Sequence, residues 1–242
     1  MDIPADRHLI YQTSLMSALL DGVYDGETTV ATLLEHGDFG LGTFNALDGE
    51  MLILDGVCYR MRADGTVDPA EPTDLSPFAV VTRFAPSLSI PVTGPTTRDE
   101  AVALIQDALQ SANYLYAVRL TGEFDRVRVR AVHRQEKPYQ PMTEALRGEK
   151  TLEFGRSAGV VAGFRTPLYG QGIGVPGGHV HYIDAAREQG GHVLDFVMLS
   201  GTIEICIGTD LHLALPLTTE FKNAELSPDD LADQVEQAEN HR

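Results

Sequence analysis

Three of the chain's eight histidines fall in two short segments, Pro176-Gly177-Gly178-His179-Val180-His181-Tyr182-Ile183-Asp184 and Gly190-Gly191-His192-Val193-Leu194-Asp195-Phe196. Residues two apart in a strand point to the same face, so His179 and His181 share one face while Val180 and Tyr182 point the other way. The stretch from Ala185 to Gly191 can form a turn-containing loop. Gly191–Met198 then returns as a neighbouring strand and His192 comes alongside. Three converging neutral imidazoles suit Zn²⁺ or another borderline divalent ion, at about 2.0–2.1 Å from each nitrogen. Three protein ligands leave positions open for water or substrate, the mark of a catalytic rather than a structural metal. The paired glycines before His179 and His192 would let backbone pass close to a crowded centre. A polar strand face without metal is the competing explanation. The other five histidines, His8, His36, His133, His212 and His241, are scattered and read as surface or core residues.

Charged residues add two further features. Asp125-Arg126-Val127-Arg128-Val129-Arg130-Ala131-Val132 alternates strictly, so Arg126, Arg128 and Arg130 share a strand face. Like charges in a row repel, so such a face needs carboxylate partners or an anionic ligand. A guanidinium there could grip a carboxylate substrate by a two-pronged hydrogen bond. Glu50 leaves an Asp48-Gly49 turn beside the apolar run Met51–Leu54. A glutamate on a half-buried strand can have a raised pKa and hold a proton for delivery. The acidic C-terminal segment reads most simply as a solvated face; Glu236 and Glu239 serve chemistry only if the tail folds over a site.

The rest of the chain must position these groups. Its 242 residues, 43% of them apolar, can bury a real core in one large domain or two small ones. With 18 basic and 35 acidic residues the net charge is −17, which makes nucleic acid or an anionic membrane an improbable partner. The longest apolar runs are too short to span a bilayer. No basic and apolar leader is visible at the start, so a cytoplasmic location is the expectation. Cys58 and Cys206 form no CxxC and read as two buried free thiols.

The pattern of turns and periodicity predicts mixed α+β structure with sheets dominating. The spacing of Leu15, Met16, Leu19 and Leu20, and then of Val30, Leu33 and Leu34 within Thr28–His36, predicts two short N-terminal helices. Gly42–Leu47 and Glu50–Asp55 form a hairpin about Asp48-Gly49, followed by Val57–Arg62. Asp68–Pro77 reads as a loop and Phe78–Phe84 as a buried strand. Thr97 and Glu100 form a capping box that opens a helix through about Gln110. Leu115–Leu120 and Phe124–Val132 are expected to pair around Thr121-Gly122-Glu123. Pro138–Lys150 is a connector containing a short helix, Met142–Arg147. Strands then run to about Leu215, and a last helix starts at Ser227-Pro228, with Ser227 as its N-cap. The connector is the candidate boundary between two subdomains on mixed, largely antiparallel sheets. Residues 1–145 would carry Glu50 and Arg130, and 146–242 the histidines and the final helix.

These residues together resemble the acetolactate decarboxylase family over most of the chain. The resemblance is carried by Leu19–Gly26, by His36-Gly37-Asp38-Phe39-Gly40-Leu41-Gly42-Thr43-Phe44-Asn45-Ala46-Leu47-Asp48-Gly49-Glu50-Met51, by Pro77–Thr82, and by Gly177–Tyr182 with Gly190–Asp195. It implies decarboxylation of 2-acetolactate to acetoin and CO₂ with zinc held by His179, His181 and His192. It implies Arg130 as the arginine near the metal, Glu50 as the first active-site glutamate, and Thr43 and Leu47 as substrate-lining residues. A second glutamate comes from the tail, best matched by Glu239 with Glu236 as the alternative. A pair of α/β subdomains and a homodimer are also implied. No organic cofactor is required, since a Lewis-acid metal can stabilise the electron pair left by CO₂. A cupin-like metal oxygenase also places His-x-His on a strand, but His192 follows too soon for that pattern; a metal-binding module without turnover is the other alternative.

Overall fold

The computed structural model describes residues 9–109, 111–147 and 149–239. Its strands in chain order are β1 (Leu9–Thr13), β2 (Thr28–Thr29), β3 (Phe39–Thr43), β4 (Glu50–Leu54), β5 (Val57–Met61), β6 (Val67–Pro69), β7 (Leu75–Ser76) and β8 (Phe78–Thr82). The second half adds β9 (Leu88–Val92), β10 (Thr96–Thr97), β11 (Leu115–Ala131), β12 (Lys150–Phe154), β13 (Ser157–Thr166), β14 (Gly177–Asp184), β15 (Gly190–Gly208) and β16 (Asp210–Ala214). The helices are short: α1 (Met16–Leu20), α2 (Val30–His36), α3 (Arg98–Ala108), α4 (Met142–Ala145), α5 (Thr219–Asn223) and α6 (Leu231–Glu239). None is long and apolar enough to cross a membrane.

The first sheet runs β16-β1-β8-β3-β4-β5-β6, antiparallel throughout except for the parallel β16–β1 pair. In the second, β11, β13, β14 and β15 pair antiparallel in a cycle that closes on itself, with β12 on β11 and with β9 and β10 on β15. Period-2 alternation sorts each strand's side chains between two cores. One core lies between the sheets, where Leu41, Leu52 and Phe78 meet Ala117, Ala162, Phe164 and Ile183. A second fills the cycle and is covered by Ala101 and Ile105 of α3. A third packs Val30 and Leu33 of α2 on the outer face of the first sheet. Burying each large aliphatic or aromatic side chain contributes about 1.5–3 kcal/mol.

Several expectations are corrected. Leu115–Ala131 is one continuous strand, not a hairpin. Thr121-Gly122-Glu123 lies inside it, with Gly122 opposite Gly201; a Cβ on Gly122 would stand 2.0 Å from the Ser200 carbonyl oxygen. The glycine is there for close strand approach, which a turn signal imitates. Beyond it, Phe124 pairs with Met198 and Arg126 with Val197, so Asp125 is bulged. The bulge switches the alternation: Leu120 and Phe124, then Val127 and Val129, face the inner core. The arginines at 126, 128 and 130 are thereby turned to the opposite face.

The N-terminal region contains β1 as well as helices, because its apolar residues fill a position between β8 and β16. The expected loop 68–77 contributes residues to β6 and β7. The capping box is present, with Glu100 N donating to Thr97 Oγ1 at 3.3 Å and Thr97 N to Glu100 Oε2 at 2.8 Å. Its helix is α3; Gln110 lies outside the described residues. The last helix starts at Leu231, whose N–H donates to the Pro228 carbonyl across a turn, so Ser227 is not its N-cap. Sheet membership changes between Thr82 and Leu88. Arg130 therefore shares a sheet with the three histidines, whereas a division at 145/146 groups it with Glu50.

Candidate active site

The two-residue alternation of β14 puts His179 and His181 on the same side as Ile183, facing the first sheet. β15 pairs His192 with His181 across one edge and with Arg130 of β11 across the other. The imidazole nitrogens of His179, His181 and His192 lie within 4.8 Å of one another, and ring centroids are 5.1–5.4 Å apart. His181 Nδ1 donates to the Met51 carbonyl at 2.8 Å. A carbonyl only accepts, so this bond fixes the tautomer and leaves Nε2 with a free lone pair. That Nε2 is buried and has no hydrogen-bond partner. The ring of His192 is hydrogen-bonded to the backbone of Glu239. Burial, with Arg130 nearby, pushes His179 down to about 3 and holds His181 and His192 well below the usual imidazole range. All three are neutral donors, and this set fits a borderline divalent cation such as zinc.

The first sheet brings its groups from the opposite side. β4 turns Glu50 toward the histidines with Leu52 and Leu54, because Met51 and Ile53 occupy the outer core. Glu50 Oε2 is 3.6 Å from His181 Nε2. Burial drives its carboxyl up to about 8; Arg130 opposes the rise, and Glu239 and Glu149 add to it. Thr43 is buried on β3 and donates its hydroxyl to the Gly49 carbonyl at 2.9 Å. That bond ties down the Asn45–Gly49 turn, in which Ala46, Leu47 and Gly49 all have positive φ. Thr43, Leu47, Glu50, Arg130, His179, His192 and Glu239 line one pocket.

Arg130 is 1% exposed, while Arg126 and Arg128 on the same face are open to solvent. Its Nη1 is 3.5 Å from Glu149 Oε2 and its Nη2 3.6 Å from Glu239 Oε1. α6 delivers Glu239 by burying Val235 and Ala238 in the intersheet core. Glu239 Oε2 also stands 3.6 Å from His179 Nε2 and 3.7 Å from His192 Nε2. The tail thus folds over the site and brings Glu239 into it.

The sequence reading did not single out Glu149, which closes the arginine pair from the connector and carries no motif of its own. The two glycine pairs prove different. A Cβ at Gly191 would stand 2.8 Å from the Arg130 carbonyl oxygen and one at Gly190 2.6 Å from Met61 Sδ, whereas Gly177 and Gly178 face open space. His36 stacks at 3.7 Å on Tyr11, a residue of the outer core of the first sheet, with His212 edge-on, and His133 is exposed; His8 and His241 lie outside the described residues. Cys58 and Cys206 are buried, and neither is in a disulfide.

Comparison with known proteins extends the resemblance to nearly the whole chain. The family model for alpha-acetolactate decarboxylase matches residues 10–228. The alpha-acetolactate decarboxylase of Bacillus subtilis strain 168 is 44% identical over 95% of this chain and 90% of its own length. That of Methylococcus capsulatus is 43% identical over 92% and 85%. A crystal structure of the Bacillus subtilis strain 168 protein aligns with a TM-score of 0.94 at 43% identity, covering 96% of this chain and 99% of that one. The pocket between the sheets is thus set in a fold and a sequence that both lead to one conclusion: the chain belongs to the alpha-acetolactate decarboxylase family.

Proposed function

We propose that this enzyme converts 2-acetolactate (2-hydroxy-2-methyl-3-oxobutanoate) to acetoin and CO₂, with a divalent metal ion, zinc foremost, held by His179, His181 and His192. The reaction follows from family membership. The metal site is supported by three neutral nitrogens within 4.8 Å, one of them buried without a hydrogen-bond partner, and this convergence is the observation that carries the proposal. Bound there, the ion would supply a Lewis acid that polarises the substrate ketone and stabilises the charge left by departing CO₂.

The chain's own groups take the remaining tasks. Arg130 binds the substrate carboxylate through its two-pronged donor face and turns the C2–carboxylate bond perpendicular to the carbonyl plane. The bonding electrons then flow into the carbonyl π system as CO₂ leaves. Glu50 gives a proton to the carbon that has lost CO₂ and regains one from solvent afterwards. The division of labour between the glutamates is supported by two differences: Glu239 stands 3.6 Å from Arg130, whereas burial drives the Glu50 carboxyl up to about 8, where it holds a proton to give. Glu239 accepts a hydrogen bond from a substrate hydroxyl. Thr43 and Leu47 wall the pocket and, with α6, keep water away. Assembly as a homodimer is part of the same proposal; it rests on the family resemblance, and sedimentation velocity tests it.

The test is to supply 2-acetolactate, follow acetoin, and measure metal per chain before and after chelation and metal return. Acetoin formation that is lost with the metal and restored with it supports the reading. Full turnover by metal-free protein refutes the metal's role. No acetoin from metal-replete protein refutes the reaction.

A further inference from the structure

On the side of β14 away from the histidines lies a second cavity, of about 160 Å³. At roughly 10–15 Å³ per water-sized probe it has space for on the order of ten heavy atoms. Its apolar wall is formed by Ile105 of α3 together with Leu120, Val161, Val180 and Phe196. Among the described residues, polar side chains enter its lining at Arg98, Gln106 and Arg165, and no carboxylate does. For a chain of net charge −17 that is a local reversal of sign. Arg165 is held in place: its Nη1 donates to the Ala112 carbonyl at 2.8 Å, and its guanidinium lies 6.0 Å from the Tyr116 ring centroid. Gly177 and Gly178 leave the rim open, since a Cβ at either would meet nothing within 4 Å. The glycine pair that the sequence suggested for close packing at the metal borders this cavity instead.

We propose that this cavity is a second ligand site, selective for an apolar monocarboxylate of roughly six to ten heavy atoms in all, carboxylate included, a size set by the volume per probe. The apolar wall removes the hydrocarbon from water, and Arg98 and Arg165, the two cationic residues of the lining, receive the carboxylate. Val180 packs toward this side of β14 while His179 and His181 face the other, so the strand separates the site from the three-histidine centre.

Hexanoate, with hexan-1-ol and hexylamine as uncharged and oppositely charged controls, is the probe, titrated calorimetrically into metal-loaded protein. Hexanoate is expected to bind saturably at one site per chain and hexylamine at least tenfold more weakly. Arg98→Glu, which suits the first turn of a helix, should weaken hexanoate at least tenfold with kcat/KM on acetolactate unchanged. Val102→Trp, from a position on α3 that lines the cavity and is 39% exposed, should fill the space and abolish binding. Hexanoate and hexylamine binding equally, the absence of saturable binding, or indifference to both substitutions would overturn the proposal. So would hexanoate that is lost on chelation or displaced by acetolactate, because it would then occupy the metal site.

Discussion

Replacing Arg130 by methionine keeps most of the side-chain volume and removes the guanidinium between Glu149 and Glu239. The arginine is 1% exposed and its two carboxylate partners 10% and 4%, so solvent screening is slight. Removing one member of a buried, charged cluster costs about 3–5 kcal/mol, because the remaining charges stay out of water. At about 2–4 °C per kcal/mol for a chain of this size, Tm should fall by about 6–20 °C. Adding Glu239→Gln to Arg130→Met should recover part of that loss, with a coupling of about 1–3 kcal/mol, since it removes one stranded charge. Activity should fall for a separate reason. The substrate carboxylate loses a two-pronged charge-assisted hydrogen bond, worth about 10²–10³-fold in kcat/KM. Arg130→Lys keeps the charge and loses the fork, so it should lie between the two in both measurements. The assays are thermal unfolding of metal-loaded protein, metal content by elemental analysis, and acetoin production. An Arg130→Met protein that melts within about 2 °C of the parent and turns over 2-acetolactate normally would refute both the buried-cluster argument and the arginine's role.

His181→Ala should reduce bound metal to well below one ion per chain, since it removes the donor fixed by the Met51 carbonyl; full occupancy by elemental analysis would remove His181 from the ligand set. Glu50→Gln should keep its metal and lose about 10²–10⁴-fold in acetoin formation, with retained rate and stereochemistry shifting proton delivery to Glu239. Gly122→Ala should destabilise the fold by more than about 2 kcal/mol in denaturant melts, because a Cβ there meets the Ser200 carbonyl oxygen at 2.0 Å; a neutral effect would argue for the turn that the sequence suggested.

Some of this protein was legible in the order of its residues alone. His179 and His181 share a face because a strand repeats every two residues, and this local rule held. The Thr97 capping box, the hairpin joining Thr43 to Glu50 and the buried run Phe78–Thr82 are likewise local, since each depends on contacts within a few residues. The histidine spacing, read with the glycine-rich 36–51 block, also carried the family.

What lay beyond the sequence was long-range. Thr121-Gly122-Glu123 has the composition of a turn, and only the close approach of Ser200 and Gly201 makes it strand interior. The three arginines are equivalent by alternation; which of them is buried depends on where the connector and α6 cross the face. Glu149 could not be picked out because it lies in the connector and its partner, Arg130 on β11, is 19 residues away. Glu239 enters the site because Val235 and Ala238 pack into the intersheet core, a consequence of surfaces formed only once both sheets are in place. Local periodicity selects the chemistry-bearing residues; burial, which needs the whole assembled core, decides which of them share a site.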